Sequence, residues 1–218
     1  MAAEEEPRSG PGPRQRAIGR ALNATVARAP ALWPLLRPWM RRFFDDRAHL
    51  WDERTGAGSV SHLAPVAAAA LHVKPAPERI LDLGTGTGEA ALFLAREFPR
   101  ASVRGVDISG SMVRVAQGKV GLDPEGRVAF RVADASDLPF AEDSFDLVAQ
   151  LNMPPFFAET ARIVRPGGFV IVASSLGQAT PFYTPDPVLD RGFLRRGVEP
   201  VARGEAGTGT YWVGRRRQ

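Results

Sequence analysis

Five short apolar runs recur along the middle of the chain, and each ends in polar or glycine-bearing residues. Arg79 to Leu83, Ser102 to Val106, Arg127 to Val132, Phe145 to Leu151 and Phe169 to Ser174 read as strands. Nearly continuous apolar character of this length fits strands covered on both faces of a parallel sheet. Segments with helical spacing alternate with them. These are Ala90 to Phe98, a helix holding Met112, Val113 and Val115 behind a Ser109 cap, and Phe157 to Val164. Beyond the fifth run, Leu176 to Pro187 is a proline-bearing loop and Val188 to Arg196 a helix. Glu199 to Glu205 and Gly209 to Gly214 then form a hairpin around Ala206-Gly207-Thr208. Alternating strands and helices predict an α/β architecture.

The first quarter of the chain has a different texture. Arg14 to Trp51 is basic, apolar and punctuated by proline. Ala17 to Ala29 predicts one helix, with Ile18, Leu22 and Val26 on one face. Pro30, Pro34 and Pro38 interrupt the next stretch, so a second helix is expected to start near Pro38 and cover Trp39 to Phe44. Trp33, Leu35, Leu36, Trp39, Met40, Phe43 and Phe44 are too apolar to stay in water. Two readings compete: a cap folded over a ligand cleft, and an interfacial anchor with Arg37, Arg41, Arg42 and Arg47 at lipid headgroups. Ser61 to Val73 is alanine-rich and helical, with Pro65 placed in its first turn. The expected divisions are a disordered tail (1–13), an N-terminal helical cap (14–55) and an α/β domain (56–218).

The densest chemistry lies at the end of the first strand, in Asp82-Leu83-Gly84-Thr85-Gly86-Thr87-Gly88. Glycines let the chain turn sharply and let a ligand approach the main chain. The unpaired amides at the start of the next helix point at that ligand. The nicotinamide fingerprint is G-x-G-x-x-G, whereas this run is G-x-G-x-G, with Glu89 where the third glycine would stand. A second acid, Asp107, ends the second strand 25 residues beyond Asp82, the length of one βαβ step. A carboxylate there can accept both hydrogen bonds of a ribose diol.

With its acid before the glycine turn, this stretch resembles the first motif of the class I S-adenosylmethionine-dependent methyltransferases. Ala161-Arg162-Ile163-Val164-Arg165-Pro166-Gly167-Gly168-Phe169 resembles a second segment of the same family, and the likeness spans about residues 78 to 175. The resemblance implies a doubly wound, Rossmann-like and mostly parallel seven-stranded sheet. It also implies a C-terminal antiparallel hairpin and an N-terminal helical cap. It implies S-adenosylmethionine as cofactor, held by Asp82, Gly84, Thr85, Gly86, Thr87 and Gly88 at its methionine portion. Asp107 would take the ribose, Ile108 and Met112 would flank the adenine, and Asp134 with Ala135 would receive the adenine amino group. Gln150 and Leu151, at the end of the fourth strand, complete the expected cofactor set. Phe44 to Arg54 resembles the segment preceding the core of small-molecule methyltransferases, and there Trp51 is the residue expected to touch the ligands. Asn152-Met153-Pro154-Pro155-Phe156 resembles the N-P-P-Y of some amino-group methyltransferases with one residue inserted. Asn152 and Phe156 are therefore the expected acceptor contacts. From Asp146 to Arg162 is only 16 residues, a shortened acceptor region.

Composition adds exclusions. There is no cysteine, hence no disulfide, thiolate metal site or thiol catalysis. His49, His62 and His72 lack metal-ligand spacing and read as surface or packing residues; no metal is expected. Net charge is +4 while the sequence pI is about 10.2. With few lysines or tyrosines to titrate, a small excess of arginine carries the pI that far. The basic residues are scattered and no RNA-binding module is recognisable, which sets nucleic acid aside as a partner. No apolar stretch approaches a membrane span. The start lacks a signal sequence, so a cytoplasmic location is expected, with peripheral membrane contact through the N-terminal segment left open. The expected activity is methyl transfer to a small-molecule acceptor. A catalytically silent cofactor-binding protein and a nicotinamide oxidoreductase are the alternatives. Catalytic residue, acceptor and oligomeric state stay unassigned.

Overall fold

The structure, a computed structural model, describes residues 11–218. Most of the tail expected over 1–13 lies outside the described residues, and the first helix already begins at Pro13. Among the described residues four α-helices precede the sheet: α1 (Pro13–Arg28), α2 (Trp33–Asp45), α3 (Trp51–Thr55) and α4 (Val60–Ala70). Then come β1 (Arg79–Leu83), α5 (Glu89–Glu97), β2 (Ser102–Asp107), α6 (Gly110–Lys119) and β3 (Val128–Val132). The chain continues with β4 (Phe145–Leu151), α7 (Phe157–Ile163), β5 (Val164–Ser174), α8 (Asp186–Leu194), β6 (Val198–Ala206) and β7 (Gly209–Arg216).

The seven strands lie in the order β3-β2-β1-β4-β5-β7-β6. The first five are parallel, while β7 runs antiparallel to both β5 and β6. This is the expected doubly wound sheet with its terminal hairpin. Side chains alternate between the two faces, as strand geometry requires. Ile80, Val103, Leu147 and Ile171 pack under α4, α5 and α6, whereas Leu81, Leu83, Val148 and Val170 pack under α7 and α8. Strand order reverses between β1 and β4, and a crevice opens beyond the carboxyl ends at that point.

The cap is tied over the same end. Val26, Trp33 and Met40 form a separate buried cluster with Phe156, joined by Ile108, Met153 and Phe182. The α1 helix lies close on the loop after β5. A Cβ on Gly19 would stand 2.5 Å from that of Pro181. The buried Asn23 side chain donates to the Tyr183 carbonyl at 3.0 Å and to the Thr184 hydroxyl at 2.7 Å.

Three expectations are corrected. The second helix does not start near Pro38; it starts at Trp33 with Pro38 inside. Pro34 falls in the first turn, where no amide is needed, and burial of Trp33 and Met40 offsets the one hydrogen bond lost at Pro38. Pro65 also stands beyond the first turn of α4, and it is buried in the packed face of that helix. Finally, β5 begins at Val164, so Arg165-Pro166-Gly167-Gly168 lies within it as a bulge. Pairing passes from Phe145–Val164 to Leu147–Phe169, and Gly167 takes φ +75°. Asp146 fixes the bulge by binding the Arg165 side chain and accepting from the amides of Glu78 and Arg79.

Candidate active site

The glycine turn between β1 and α5 forms the floor of the crevice. The Thr85 amide donates to the Val106 carbonyl at 2.9 Å, which ties the turn to β2. Gly84 takes φ +70°, and a Cβ there would meet the Met153 sulfur at 2.6 Å. Gly88, the residue before α5, takes φ +87°, and a Cβ would meet Phe130 at 2.8 Å and Ala116 at 2.9 Å. Gly88 therefore serves helix–strand packing and, unlike the other expected glycines, does not line the cleft.

Two carboxyls organise the turn. Asp82 is buried, and its Oδ2 accepts the Thr85 hydroxyl at 2.6 Å. Burial pushes its pKa up to about 6; hydrogen bonds from Thr85 and the Ala91 amide oppose the rise, and the nearby Asp107 adds to it. Asp107 accepts the Gly86 amide at 2.9 Å on one oxygen and the Ser109 amide at 2.8 Å on the other. Burial also raises the Asp107 pKa against these hydrogen bonds. Ser109 caps α6 through the Met112 amide, at 3.1 Å.

The cap supplies the opposite wall. Trp33, Met40, Phe44 and Trp51 line the cleft, with Trp33 edge-on to Phe156 at 5.1 Å and Phe44 edge-on to Trp51 at 5.4 Å. Two cap carboxylates reach across to the sheet side. Asp45 accepts from the Ser109 hydroxyl at 2.7 Å and the Ser111 amide at 3.0 Å, the favoured place for an acid at the start of α6. Asp52 accepts from the Thr87 hydroxyl at 2.5 Å and pairs with Lys119, which also holds Glu89 at 2.7 Å. Neither Asp45 nor Asp52 was singled out from the sequence. Both stand in the Phe44 to Arg54 run, where polar residues among aromatics were the available signal.

Thirteen of the sixteen expected site residues line one cleft: Asp82, Gly84, Thr85, Gly86, Thr87, Asp107, Ile108, Met112, Ala135, Leu151, Asn152, Phe156 and Trp51. Gly88, Asp134 and Gln150 do not. Asp134 is turned to the cap. One of its oxygens accepts the Trp33 indole N–H at 2.8 Å and the Ser136 amide at 2.9 Å, while the other pairs with Arg37 at 3.1 Å. These donors hold the Asp134 carboxyl below the usual range, though burial opposes them. Gln150 is 1% exposed and donates to the Thr160 hydroxyl at 2.8 Å, so it belongs to the core between β4 and α7. Asn152 does line the cleft, but at φ +56° its side chain is clamped at both ends to Ser175. It donates to the Ser175 hydroxyl and accepts its amide, each at 2.8 Å. His62 is a lining residue that spacing missed, and burial holds its imidazole below the ordinary range.

The lining contains the carboxyls of Asp82, Glu89 and Asp107 and no lysine or arginine. An apolar cleft with acidic groups and a glycine turn suits a cationic ligand that carries a ribose. S-adenosylmethionine, with its sulfonium and ammonium, fits that set.

Comparison with known proteins agrees. Residues 80–168 match the family model described as a methyltransferase domain. The chain is 38% identical over 114 residues to the ubiquinone/menaquinone biosynthesis C-methyltransferase UbiE of Geotalea daltonii, covering 48% of each chain. It is 31% identical over 154 residues to the methyltransferase GfsG of Streptomyces halstedii, covering 65% of this chain and 55% of that one. The chain thus spans about half the length of the curated relatives it matches. Among solved structures, a SAM-dependent methyltransferase from Aquifex aeolicus has a TM-score of 0.59 at 16% identity, covering 72% of this chain and 91% of that one. The cyclase SpnF has a TM-score of 0.66 at 15% identity, covering 82% and 95%. At such identities the likeness is one of fold.

Proposed function

Because residues 80–168 form a methyltransferase domain of the class I, S-adenosylmethionine-dependent kind, we propose that this protein moves a methyl group to a small-molecule acceptor. The carrying observation is the juxtaposition of the glycine turn, Asp82 and Asp107 beneath an apolar, acid-lined cleft at the strand-order reversal. S-adenosylmethionine supplies an electrophilic methyl on sulfur. The chain then has to align an acceptor with it and exclude water. The Gly84 to Thr87 turn would hold the methionine portion, Asp107 the ribose, and Ile108, Met112 and Ala135 the adenine. Asp134, engaged by Trp33 and Arg37, is withdrawn from the adenine role and reassigned to holding the cap. Trp33, Phe44, Trp51 and Phe156 form the water-excluding wall. The clamped Asn152 side chain is poorly placed to grip an amine, which weighs against an amino-group acceptor.

The test is turnover. Incubated with a panel of hydroxyl- and carbon-nucleophile acceptors and labelled S-adenosylmethionine, the protein is expected to release S-adenosylhomocysteine with at least one of them. Tight binding of NAD(H) without binding of S-adenosylmethionine would favour an oxidoreductase. Cofactor binding without any turnover would leave a silent binding protein, the reading that the short connection after β4 favours.

Cofactor affinity should also depend on pH through Asp82. Its pKa of about 6 means that the carboxyl binds a proton just below neutrality. A cation settling nearby stabilises the carboxylate and lowers that pKa, so binding near pH 6 releases a proton. Affinity should be full above about 6 and fall by up to about tenfold for each pH unit below it. Calorimetry in two buffers of different ionisation enthalpy measures the proton count directly. Proton uptake, or none, would take Asp82 away from the cationic end of the cofactor.

A further inference from the structure

The cap helix α2 is apolar on two opposite sides, and only one of them has a partner. Trp33, Met40 and Phe44 face the cleft. On the reverse side, at spacings of four and three, stand Leu35, Trp39 and Arg42; Leu35 is 77% exposed and Trp39 51%. Trp39 packs against Phe43 at 5.6 Å, and the Arg47 guanidinium lies 3.9 Å over the Phe43 ring. Leu32, just before α2, and Ile18 on α1 are exposed as well.

The charge along α1 and α2 is predominantly basic, with Asp45 and Asp46 at the C-terminal end of α2 the nearest acids. Residues 11–44 contain seven arginines and no aspartate or glutamate, although the whole chain is only +4; the remainder is net acidic. Arg14, Arg28, Arg41 and Arg42 are exposed, and their side chains make no hydrogen bond or ion pair among the described residues. Exposed leucines and a tryptophan on a segment rich in such arginines combine the two attractions of an interfacial helix: apolar insertion and attraction to headgroups. No helix among the described residues is long and apolar enough to cross a membrane.

We propose that the outer face of α2, together with the exposed arginines of this N-terminal segment, docks on the surface of an anionic phospholipid bilayer. A second copy of the chain is the poorer occupant, because like-charged arginine faces would repel. A nucleic acid would use the arginines but not the aliphatic stripe of Leu32 and Leu35. The inference stands apart from methyl transfer, since it rests on the opposite side of the helix from the cleft. Its consequence for the cleft is geometric: the bilayer would lie against the helix that roofs it.

Flotation of the full-length protein with vesicles tests this. Phosphatidylcholine vesicles containing phosphatidylglycerol are expected to carry the protein, and vesicles of phosphatidylcholine alone to carry much less. Raised salt should weaken binding without abolishing it, because charge is screened while insertion is not. Trp39 fluorescence should shift to the blue on binding, measured in a variant with the other three tryptophans replaced by phenylalanine. The double variant Leu35→Glu with Trp39→Glu should lose binding by more than about tenfold while thermal unfolding stays near that of the parent. Absence of vesicle binding, or equal binding by that variant, would overturn the proposal. So would loss of vesicle binding together with salt-sensitive capture of RNA by the parent protein, which would mark the face as a nucleic-acid surface.

Discussion

A chain lacking residues 1–47 is expected to bind S-adenosylmethionine about tenfold or more weakly and to lose turnover by about a hundredfold, while still folding. The deletion removes Trp33, Met40 and Phe44 from the cleft wall and Asp45 from the start of α6. It also frees Asp134 from Trp33 and Arg37. Burying each of the apolar side chains is worth about 1.5–3 kcal/mol, shared between folding of the cap and closure over a bound cofactor. Turnover should suffer more than binding, because the glycine turn and Asp107 remain while water exclusion and alignment do not. The two clusters that fill the faces of the sheet draw almost entirely on residues after Arg54, so the core should persist. Circular dichroism, calorimetry and a product-release assay on the truncated chain give the three readings. Retained affinity and turnover, with only vesicle flotation lost, would show that the segment is an anchor and no lid.

The parts of the molecule that were legible in the sequence are those whose causes are local. Each of the five apolar runs lies in a strand. The central β1, β4 and β5 were legible because a strand buried on both faces must be apolar almost throughout, whereas β3 is an exposed edge strand and β5 starts five residues earlier than expected. The glycine turn, Asp107 and the Ser109 cap were legible because turn chemistry and capping act over a few residues. Helix α2 was not, because its proline penalty is overcome by packing of Trp33 and Met40 on residues far away in sequence. The orientation of the Asp134 side chain was not legible for the same reason. Its backbone position is as expected, but a tryptophan 101 residues earlier turns its carboxylate toward the cap. Gln150 could have been read correctly. On β4, Leu147, Ala149 and Leu151 share one face, so Gln150 must lie on the other with Val148, where it meets Thr160. Asp45 and Asp52 carried a weaker signal, since only the folded cap brings them to α6 and the glycine turn.

Replacing Asp107 with alanine is expected to raise the dissociation constant for S-adenosylmethionine by about ten- to a hundredfold, the loss of roughly 1.5–3 kcal/mol from a charge-assisted hydrogen bond. Two effects add. The variant loses the acceptor assigned to the ribose diol, and it strands the Gly86 and Ser109 amides that this carboxylate now holds at 2.9 and 2.8 Å. Asp107→Asn separates them only in part, because its NH2 group must face one of those two amides, donor against donor. It should therefore bind better than the alanine variant and still worse than the parent. The pairing of the sheet is unaffected by either change, since β2, between β1 and β3, pairs through its backbone from Arg79–Ser102 to Asp107–Val132. The unliganded variants should accordingly show normal circular dichroism, with a lower melting temperature from the loosened turn. Titration calorimetry of folded protein decides the matter. A dissociation constant equal to the parent's in Asp107→Ala would take this carboxylate out of the cofactor site and leave it only the task of fastening the glycine turn to α6.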